Sequence, residues 1–488
     1  MTALSSATLA TLSVPTPTYD RGAARVGIVH FGVGNFHRSH MAMYLDRLME
    51  RGHGSEWGIC GVGVLHQDAR MRDVMREQDC LFTLVLRHPD GSLEPRVVGS
   101  VLEYLYGPEE PDAVHARLVD PAVRIVSLTV TEGGYLTNPA SGAFDAANAS
   151  VVHDVAHPER PRTAFAYLVE GLRRRREKGL APFTVLSCDN LQGNGDAARQ
   201  AVVGLARLRD VELADWIDAN VAFPDCMVDR ITPSTTDADR EAVRTGFGVQ
   251  DGWPVPAEPF TQWIVEDEFP PGRPALDEVG VQLVDDVRPY ELMKLRLLNA
   301  SHQAIAYLGA PLGYVLVDEA LRDERLRTYL ERYMADEAAP TLGELPGIDL
   351  EAYTATLIER FGNLRMRDTL VRLATDGSNR MPTFTLPAIR ANLEAGRPVR
   401  LGAAMVAAWA EYWAAIGRGE LLAPQVPDDV HAAELTAAAL DPRPAAFVEL
   451  DVLFGDLGAD QTFLAEYLAQ RASLVEHGVH ATLDRLLR

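Results

Sequence analysis

VGIVHFGVGNFHRSH, residues 26–40, decides how the rest of the chain is read. Its first six residues are an apolar run of strand type. The run meets Gly32-Val33-Gly34, and residues 41–51 then carry helical periodicity. Strand, glycine turn and helix in that order can open a dinucleotide site. The first glycine permits a tight turn, the second lets backbone approach a pyrophosphate, and the helix start faces the phosphates. Gly32, Gly34, Asn35 and Phe36 are the candidate contacts. His37 stands where the third glycine belongs, so the fingerprint is incomplete, and on this stretch alone a plain loop explains the turn equally well. Phe36, His37 and Arg38 would place polar side chains at the phosphates. His37 and His40 also read as residues that satisfy a helix start.

Outward from this turn, strand-type runs recur. WGICGVGVL at 57–65 ends at His66-Gln67-Asp68, and residues 81–87 and 95–101 flank Pro89-Asp90-Gly91 as a hairpin. Residues 123–130 form another run, 164–178 a helix with a basic end, and 183–187 a strand that breaks at Cys188-Asp189-Asn190. Residues 226–231 add one more. Strands alternating with helices imply a parallel α/β sheet. Residues 1–24 read as a loose arm, and Arg173 to Arg176 as a solvated helix face. Beyond residue 285 the pattern is amphipathic helix almost throughout. The expected fold is therefore α/β: a Rossmann-like N-terminal domain over 1–285, then a mostly α-helical C-terminal domain over 286–488.

The 488 residues are 47% hydrophobic and 24% charged, which suits a two-domain globular protein. A net charge of −23 argues against nucleic acid and anionic membranes as partners. The four cysteines fall in no C-x-x-C pair, which fits a reducing compartment. With no signal-peptide pattern and no membrane-length apolar run, a cytoplasmic protein is expected, as a monomer or small homo-oligomer. No histidine or cysteine spacing suggests a metal site, so none is expected.

The chemistry concentrates in residues 289–309, PYELMKLRLLNASHQAIAYLG. Read as one helix at about 100° per residue, Glu291, His302 and Asn299 fall near 60°, 80° and 140° from Lys294. A carboxylate, an amine, an imidazole and an amide then share one side of an apolar helix, a pattern suited to an active-site wall. Lysine can act there as a base, and asparagine as a donor to a developing oxyanion. Asp68, at a strand end, reads equally as a ribose carboxylate that favours NAD over NADP or as the cap of the next helix. Arg70 and Arg72 keep NADP open. Asp189-Asn190 reads as an Asx turn or as an amide aimed at the ligand edge of the sheet, paired with Asn299. Asp376 to Pro382 looks like a loop leaving a helix, with Arg372 and Arg380 in reach of substrate hydroxyls or a carboxylate.

Taken together, G-x-G-x-F-H-R-x-H at 32–40, TVTEGGY at 129–135, SCDNLQGNG at 187–195 and K-x4-N-x2-H at 294–302 resemble the polyol-specific long-chain dehydrogenases/reductases. FTQWIVEDEF at 260–269 and GRP at 272–274 are most similar to the mannitol 2-dehydrogenase branch. The resemblance spans roughly residues 25–450 of the sequence. It implies metal-free, NAD-dependent oxidation of a polyol secondary alcohol to a ketose, and the reverse reduction. Lys294 is the implied general base. Asn190 and Asn299 hold the substrate oxygen, His302 positions substrate and lysine, and Glu291 assists proton exit. Asp229, Arg372 and Arg380 are the implied substrate contacts, with Arg380 standing where lysine is more usual. Gly32, Gly34, Asn35, Phe36 and Asp68 are the implied cofactor contacts. The alternatives are a hexuronate reductase, an arabinitol or sorbitol dehydrogenase, and a nucleotide-binding regulator. The regulator has no need of Lys294, Asn299 and His302 together.

Overall fold

The computed structural model describes residues 1–138, 142–421 and 426–488. It divides into two units. One comprises Met1–His88 and Ser92–Val287, the other Arg288–Arg488 with the short segment Pro89–Gly91.

The first unit is built on β1 (Val26–Phe31), α1 (Asn35–Ser39), α2 (Met41–Glu50), β2 (Gly58–Gly63), α3 (Ala69–Glu77), β3 (Phe82–Arg87), β4 (Leu93–Val98), β5 (Val101–Tyr106), α4 (Pro111–Leu118), β6 (Ile125–Leu128), α5 (Ala164–Glu177), β7 (Thr184–Ser187) and α6 (Asn194–Arg209). Five of the strands form one sheet in the order β5-β2-β1-β6-β7, every pair parallel. In chain order this is 3-2-1-4-5, the Rossmann order, which reverses between β1 and β6. Every residue of β2, β6 and β7 is buried, because helices cover both faces of a parallel sheet. That is why these strands show no strict alternation of apolar and polar residues.

Two three-stranded sheets complete the unit. β3 lies between antiparallel β4, the expected hairpin, and parallel β9 (Val255–Ala257). β10 (Gln262–Glu266) lies between antiparallel β8 (Cys226–Asp229) and parallel β11 (Gln282–Val284). All four cysteines are buried and free.

Two expectations are corrected here. The arm is not loose: Thr2–Ala3 pairs with Val249–Gln250, and Leu4 and Val14 are buried in a small cluster with Leu81, Val85 and Val243. Its few apolar residues are too widely spaced to show a period. Nor is Arg173 to Arg176 wholly solvated. Arg175 is buried and donates to the carbonyls of Leu118, Asp120 and Ala181, while Arg173 and Arg174 pair with Glu170.

The second unit has no named strand among the described residues, only an isolated bridge between Leu316 and Thr369. It opens with α7, residues 288–309, and continues through α8 (Glu324–Arg332), α9 (Leu350–Phe361), α10 (Leu370–Ala374), α11 (Gly377–Phe384), α12 (Leu386–Glu394), α13 (Arg400–Gly417) and α14 (Gln461–Leu486). α13 is apolar nearly all round because it is the central element, with Trp409 and Trp413 fully buried. No helix among the described residues is long and apolar enough to cross a membrane. The run 376–382, expected as a loop, lies almost wholly within α11, which Asp376 introduces at φ 60°.

Two segments among the described residues widen into π-helix, Lys294–Asn299 within α7 and Tyr333–Ala338 after α8. At the end of the first, the Ala300 N–H donates to the Leu295 carbonyl, an i→i+5 bond. A π turn inserts roughly one extra residue into the helix. The regular 100° placement of Asn299 and His302 relative to Lys294 therefore does not hold. Asn299, expected farthest round the helix, comes one widened turn after Lys294.

Candidate active site

The order of the main sheet puts its ligand crevice at the carboxyl ends of β1 and β6. Gly32 follows β1 with φ 93°, and a Cβ built there would lie 2.1 Å from the Thr129 carbonyl oxygen, so no other residue fits. The Gly32 carbonyl accepts from the Thr129 hydroxyl at 2.6 Å and from the Gly34 N–H at 2.7 Å, which folds the turn tightly. Gly34 is different. A Cβ there would meet only the Gly32 oxygen, at 3.9 Å. The space in front of Gly34 is open, and the first N–H groups of α1 beside it have no partner within the helix. This fits the close approach of a dinucleotide pyrophosphate.

The side chains of the turn mostly support it. Asn35 donates to the Pro233 carbonyl and the Thr235 hydroxyl and accepts from Arg38, which leaves its backbone for a ligand. Phe36 stacks on His40. Arg38 is fully buried, donates to the Trp253 carbonyl, and is pulled down to about 10 by burial. It is an anchor for the turn, not a phosphate ligand. His37 explains the incomplete fingerprint: its ring stacks flat on His30 of β1, centroids 3.5 Å apart. A third glycine would serve close packing of helix on strand, and the stacked rings do this instead. Burial holds His37 well below its usual range and pushes His30 down to about 3, so the stack is neutral.

Asp68 is partly exposed. One carboxylate oxygen accepts from the Val64 and Leu65 N–H groups, both at 2.9 Å, and so caps the turn after β2. The other oxygen makes no hydrogen bond among the described residues, so capping leaves it available to a ribose hydroxyl. Arg70 lies over the Trp253 ring, and Arg72 pairs with Asp73 and Glu109.

At the end of β7, Asp189 is buried. It accepts from the Val130 and Thr131 N–H groups, each at 2.9 Å, and from the Tyr135 hydroxyl at 2.8 Å. Burial raises its pKa, and these three donors pull it back. Asn190, the next residue, is exposed. Asn194 is buried and binds both the Asp189 and Cys226 carbonyls. Asp229 closes β8 and is buried. The sequence marks Asp189 only as an Asx turn and gives no sign of the strained Thr131 it holds, at φ 64° and ψ 164°.

The second unit brings Glu291, Lys294, Asn299 and His302 onto α7. Glu291 and Lys294 are 5% and 7% exposed, which places a carboxylate and an amine one helical turn apart away from bulk water. Asn299 and His302 are half-buried. The Asn299 amide makes no hydrogen bond among the described residues, and the His302 ring packs against Phe361 at 4.9 Å. The two arginines are more engaged than the sequence suggests. Exposed Arg372 forms a two-pronged pair with Asp368. Arg380 donates to the carbonyls of Arg372 and Leu373 at the end of α10, a helix-terminus role. Asn190, Asp229 and the glycine turn belong to the first unit. No group of three or more His, Cys, Asp or Glu side chains is placed to hold a metal ion among the described residues.

Comparison with known proteins accounts for both units. The family model of the mannitol dehydrogenase Rossmann domain matches residues 26–278, and that of the mannitol dehydrogenase C-terminal domain matches residues 286–475. The chain belongs to the mannitol dehydrogenase family. Within the family it is similar to a mannitol 2-dehydrogenase of Cereibacter sphaeroides, 44% identical over 98% of this chain and 99% of the relative. It is also similar to a polyol:NADP oxidoreductase of Gluconobacter oxydans, 45% identical over 82% of each chain. Among solved structures, the Pseudomonas fluorescens mannitol 2-dehydrogenase, in ternary complex with NAD and D-mannitol, matches with a TM-score of 0.84 and 41% identity. That match covers 100% of this chain and 99% of the other. The family resemblance read from the four motifs, and the Rossmann-plus-helical fold, are thus both borne out.

Proposed function

We propose that the protein is an NAD-dependent polyol dehydrogenase that oxidises a secondary alcohol of an open-chain polyol, of the D-mannitol to D-fructose type, and runs in reverse as a ketose reductase. The observation that carries this reading is Lys294, only 7% exposed at the start of a widened helical turn and one turn from buried Glu291. A lysine so buried suits proton transfer at a reacting hydroxyl. Family membership over both units supports the substrate class.

In this reading Gly32, Gly34 and the backbone of Asn35 and Phe36 cradle the pyrophosphate, and the available Asp68 oxygen receives the adenosine ribose. The nicotinamide, when bound, supplies the hydride acceptor. Lys294 in its neutral form takes the proton of the substrate hydroxyl. Asn299 and Asn190 donate to the oxygen as negative charge develops on it. His302, backed by Phe361, orients the hydroxyl and the amine. Burial disfavours protonated Lys294 and the Glu291 carboxylate favours it, so the pair balances base strength against proton release. Glu291 passes the proton on towards solvent. Asp229 binds a more distant hydroxyl. Arg380 keeps donors beyond those given to α10, and Arg372 reaches substrate by leaving Asp368. The protein is expected to work without a metal and in the cytoplasm.

NADH formation between pH 7 and 10, measured with mannitol, sorbitol, arabinitol and mannonate and repeated with NADP, tests the reading. Activity on mannitol with NAD is the expected result, and Lys294→Ala should abolish it while NADH still binds. Activity on mannonate alone would replace the polyol with a sugar acid. Near-normal turnover by Lys294→Ala would remove the lysine from the chemistry.

A further inference from the structure

Thr131 is the most strained residue at the carboxyl edge of the main sheet. Its φ of 64° and ψ of 164° lie in a region populated almost only by glycine, and its β-branched side chain makes the conformation harder still. Such a conformation persists only where the surroundings over-determine it. Here they do. One oxygen of Asp189 takes the Thr131 N–H and the other takes the Val130 N–H, each at 2.9 Å. The second oxygen also takes the Tyr135 hydroxyl at 2.8 Å, and Tyr135 is itself bonded to Ser187. Tyr135, Ser187 and Asp189 are all buried, so the clamp is shielded from water.

The clamped segment abuts the phosphate turn. Thr129, two residues before Thr131, bonds the Gly32 carbonyl through its hydroxyl and the Phe31 carbonyl through its N–H. The ends of β7, β6 and β1 are therefore tied in series, from Asp189 to the 129–131 segment to Gly32. This series runs through the point where the strand order reverses.

We propose that Asp189 is a positioning residue for the cofactor. Its carboxylate holds residues 130 and 131 in the one backbone form that leaves the crevice between β1 and β6 open to a dinucleotide. The proposal rests on the dinucleotide reading above. Without the clamp, Thr131 relaxes to an ordinary φ, the segment rotates, and the crevice loses its shape while the buried strands stay paired.

The test uses NADH binding, followed by cofactor fluorescence, with thermal unfolding measured alongside. Asp189→Asn presents an amide donor to one of the two N–H groups and breaks half the clamp. It should weaken NADH at least tenfold while unfolding within a few degrees of the wild type. Thr131→Gly takes the strained conformation without strain, so it should bind NADH normally alone and, added to Asp189→Asn, should restore affinity to within about threefold. A merely structural role for Asp189 would not be rescued by a glycine at 131. If Asp189→Asn fails to fold, Tyr135→Phe, which removes one donor to the same carboxylate, should weaken NADH severalfold and be rescued in the same way. Wild-type affinity in the substituted protein, or no rescue by glycine, overturns the proposal. Failure of the wild-type protein to bind either NADH or NADPH overturns instead the reading on which it rests, and is seen before any variant is made.

Discussion

Gly32 and Gly34 stand two residues apart, yet the structure assigns them separable duties that a pair of alanine substitutions distinguishes. At Gly32 an added Cβ would sit 2.1 Å from the Thr129 carbonyl oxygen, against a practical floor of 3.0 Å for real contacts. Neither side yields easily. Gly32 donates to the Val62 carbonyl, and Thr129 is fixed by bonds to Phe31 and Gly32. The substitution also forces a side chain onto φ 93°. Backbone strain of about 1–3 kcal/mol and overpacking of a similar size combine to about 4 kcal/mol. For a unit of this size that lowers Tm by roughly 10 °C. At Gly34 the backbone is already at φ −95°, which any residue adopts, and the nearest atom to an added Cβ is 3.9 Å away. Gly34→Ala should therefore melt within about 2 °C of the wild type, since stiffening the unfolded chain offsets small losses. In the proposed reading the methyl group instead fills the space the pyrophosphate would take, and loss of about 1.4 kcal/mol or more means NADH bound at least tenfold more weakly. Differential scanning fluorimetry and a fluorescence titration with NADH read the two effects. Gly32→Ala melting like the wild type, or Gly34→Ala binding NADH normally, would refute the assignment.

Three other expectations concern the helical unit. Buried Glu337 accepts the Leu401 and Gly402 N–H groups at the start of α13, and burial raises its carboxyl to about 7. The folded state thus keeps a proton that the unfolded chain releases nearer 4.5. The stability this group contributes is complete below about pH 4.5 and is lost as pH rises through about 7, on the order of 3 kcal/mol in all. The Tm of the wild type relative to Glu337→Gln should therefore rise by several degrees from pH 8 to pH 5, and a constant difference would contradict it. Arg380→Ala removes the donor to two α10 carbonyls and should lower Tm by a few degrees, about 1 kcal/mol, whereas Arg372→Ala breaks a pair exposed on the arginine side and should change Tm less. Phe361→Leu keeps most of the buried volume but removes the ring behind His302, so kcat/KM for the polyol should fall severalfold with NADH affinity intact. Equal losses in both would mean that the ring supports the fold rather than the imidazole.

The Rossmann half is legible in the sequence because strands covered on both faces leave short, mostly apolar runs between turn residues, as at 26–31 and 125–128. The helical half is legible as helix for the opposite reason, a repeated 3.6-residue period with few glycines. What stays hidden depends on bonds between residues far apart in the chain. KLRLLN at 294–299 holds no glycine or proline to announce a π turn, yet the turn changes which side chains adjoin Lys294. The arm at 1–24 looks dispensable until Leu4 and Val14 are seen against Val85 and Val243. The pairing of Arg173 and Arg174 with Glu170 is a case where spacing could have been read, since i and i+3 or i+4 face each other on a helix.

The residues that make the motifs distinctive are for the most part not the residues placed to touch a ligand. In G-x-G-x-F-H-R-x-H, His37 packs on His30, Arg38 binds Trp253 and His40 bonds the Gln262 carbonyl, all three of them buried. In SCDNLQGNG, Asp189 clamps residues 130 and 131, and Asn194 ties the end of β7 to β8. Asn190, polar and exposed, directly follows that clamp at the sheet edge where ligands bind. His37 fills space between helix and strand, while Arg38, His40, Asp189 and Asn194 satisfy buried backbone groups that would otherwise be unpaired. A motif of this kind identifies the scaffold with great specificity while saying little about chemistry. K-x4-N-x2-H is of the other kind. At a regular 100° per residue its members share one broad side of the helix, and the widened turn alters that placement so that Asn299 follows Lys294 by one turn. The helix there departs from its most favourable geometry, and it does so at the residues proposed to carry the reaction.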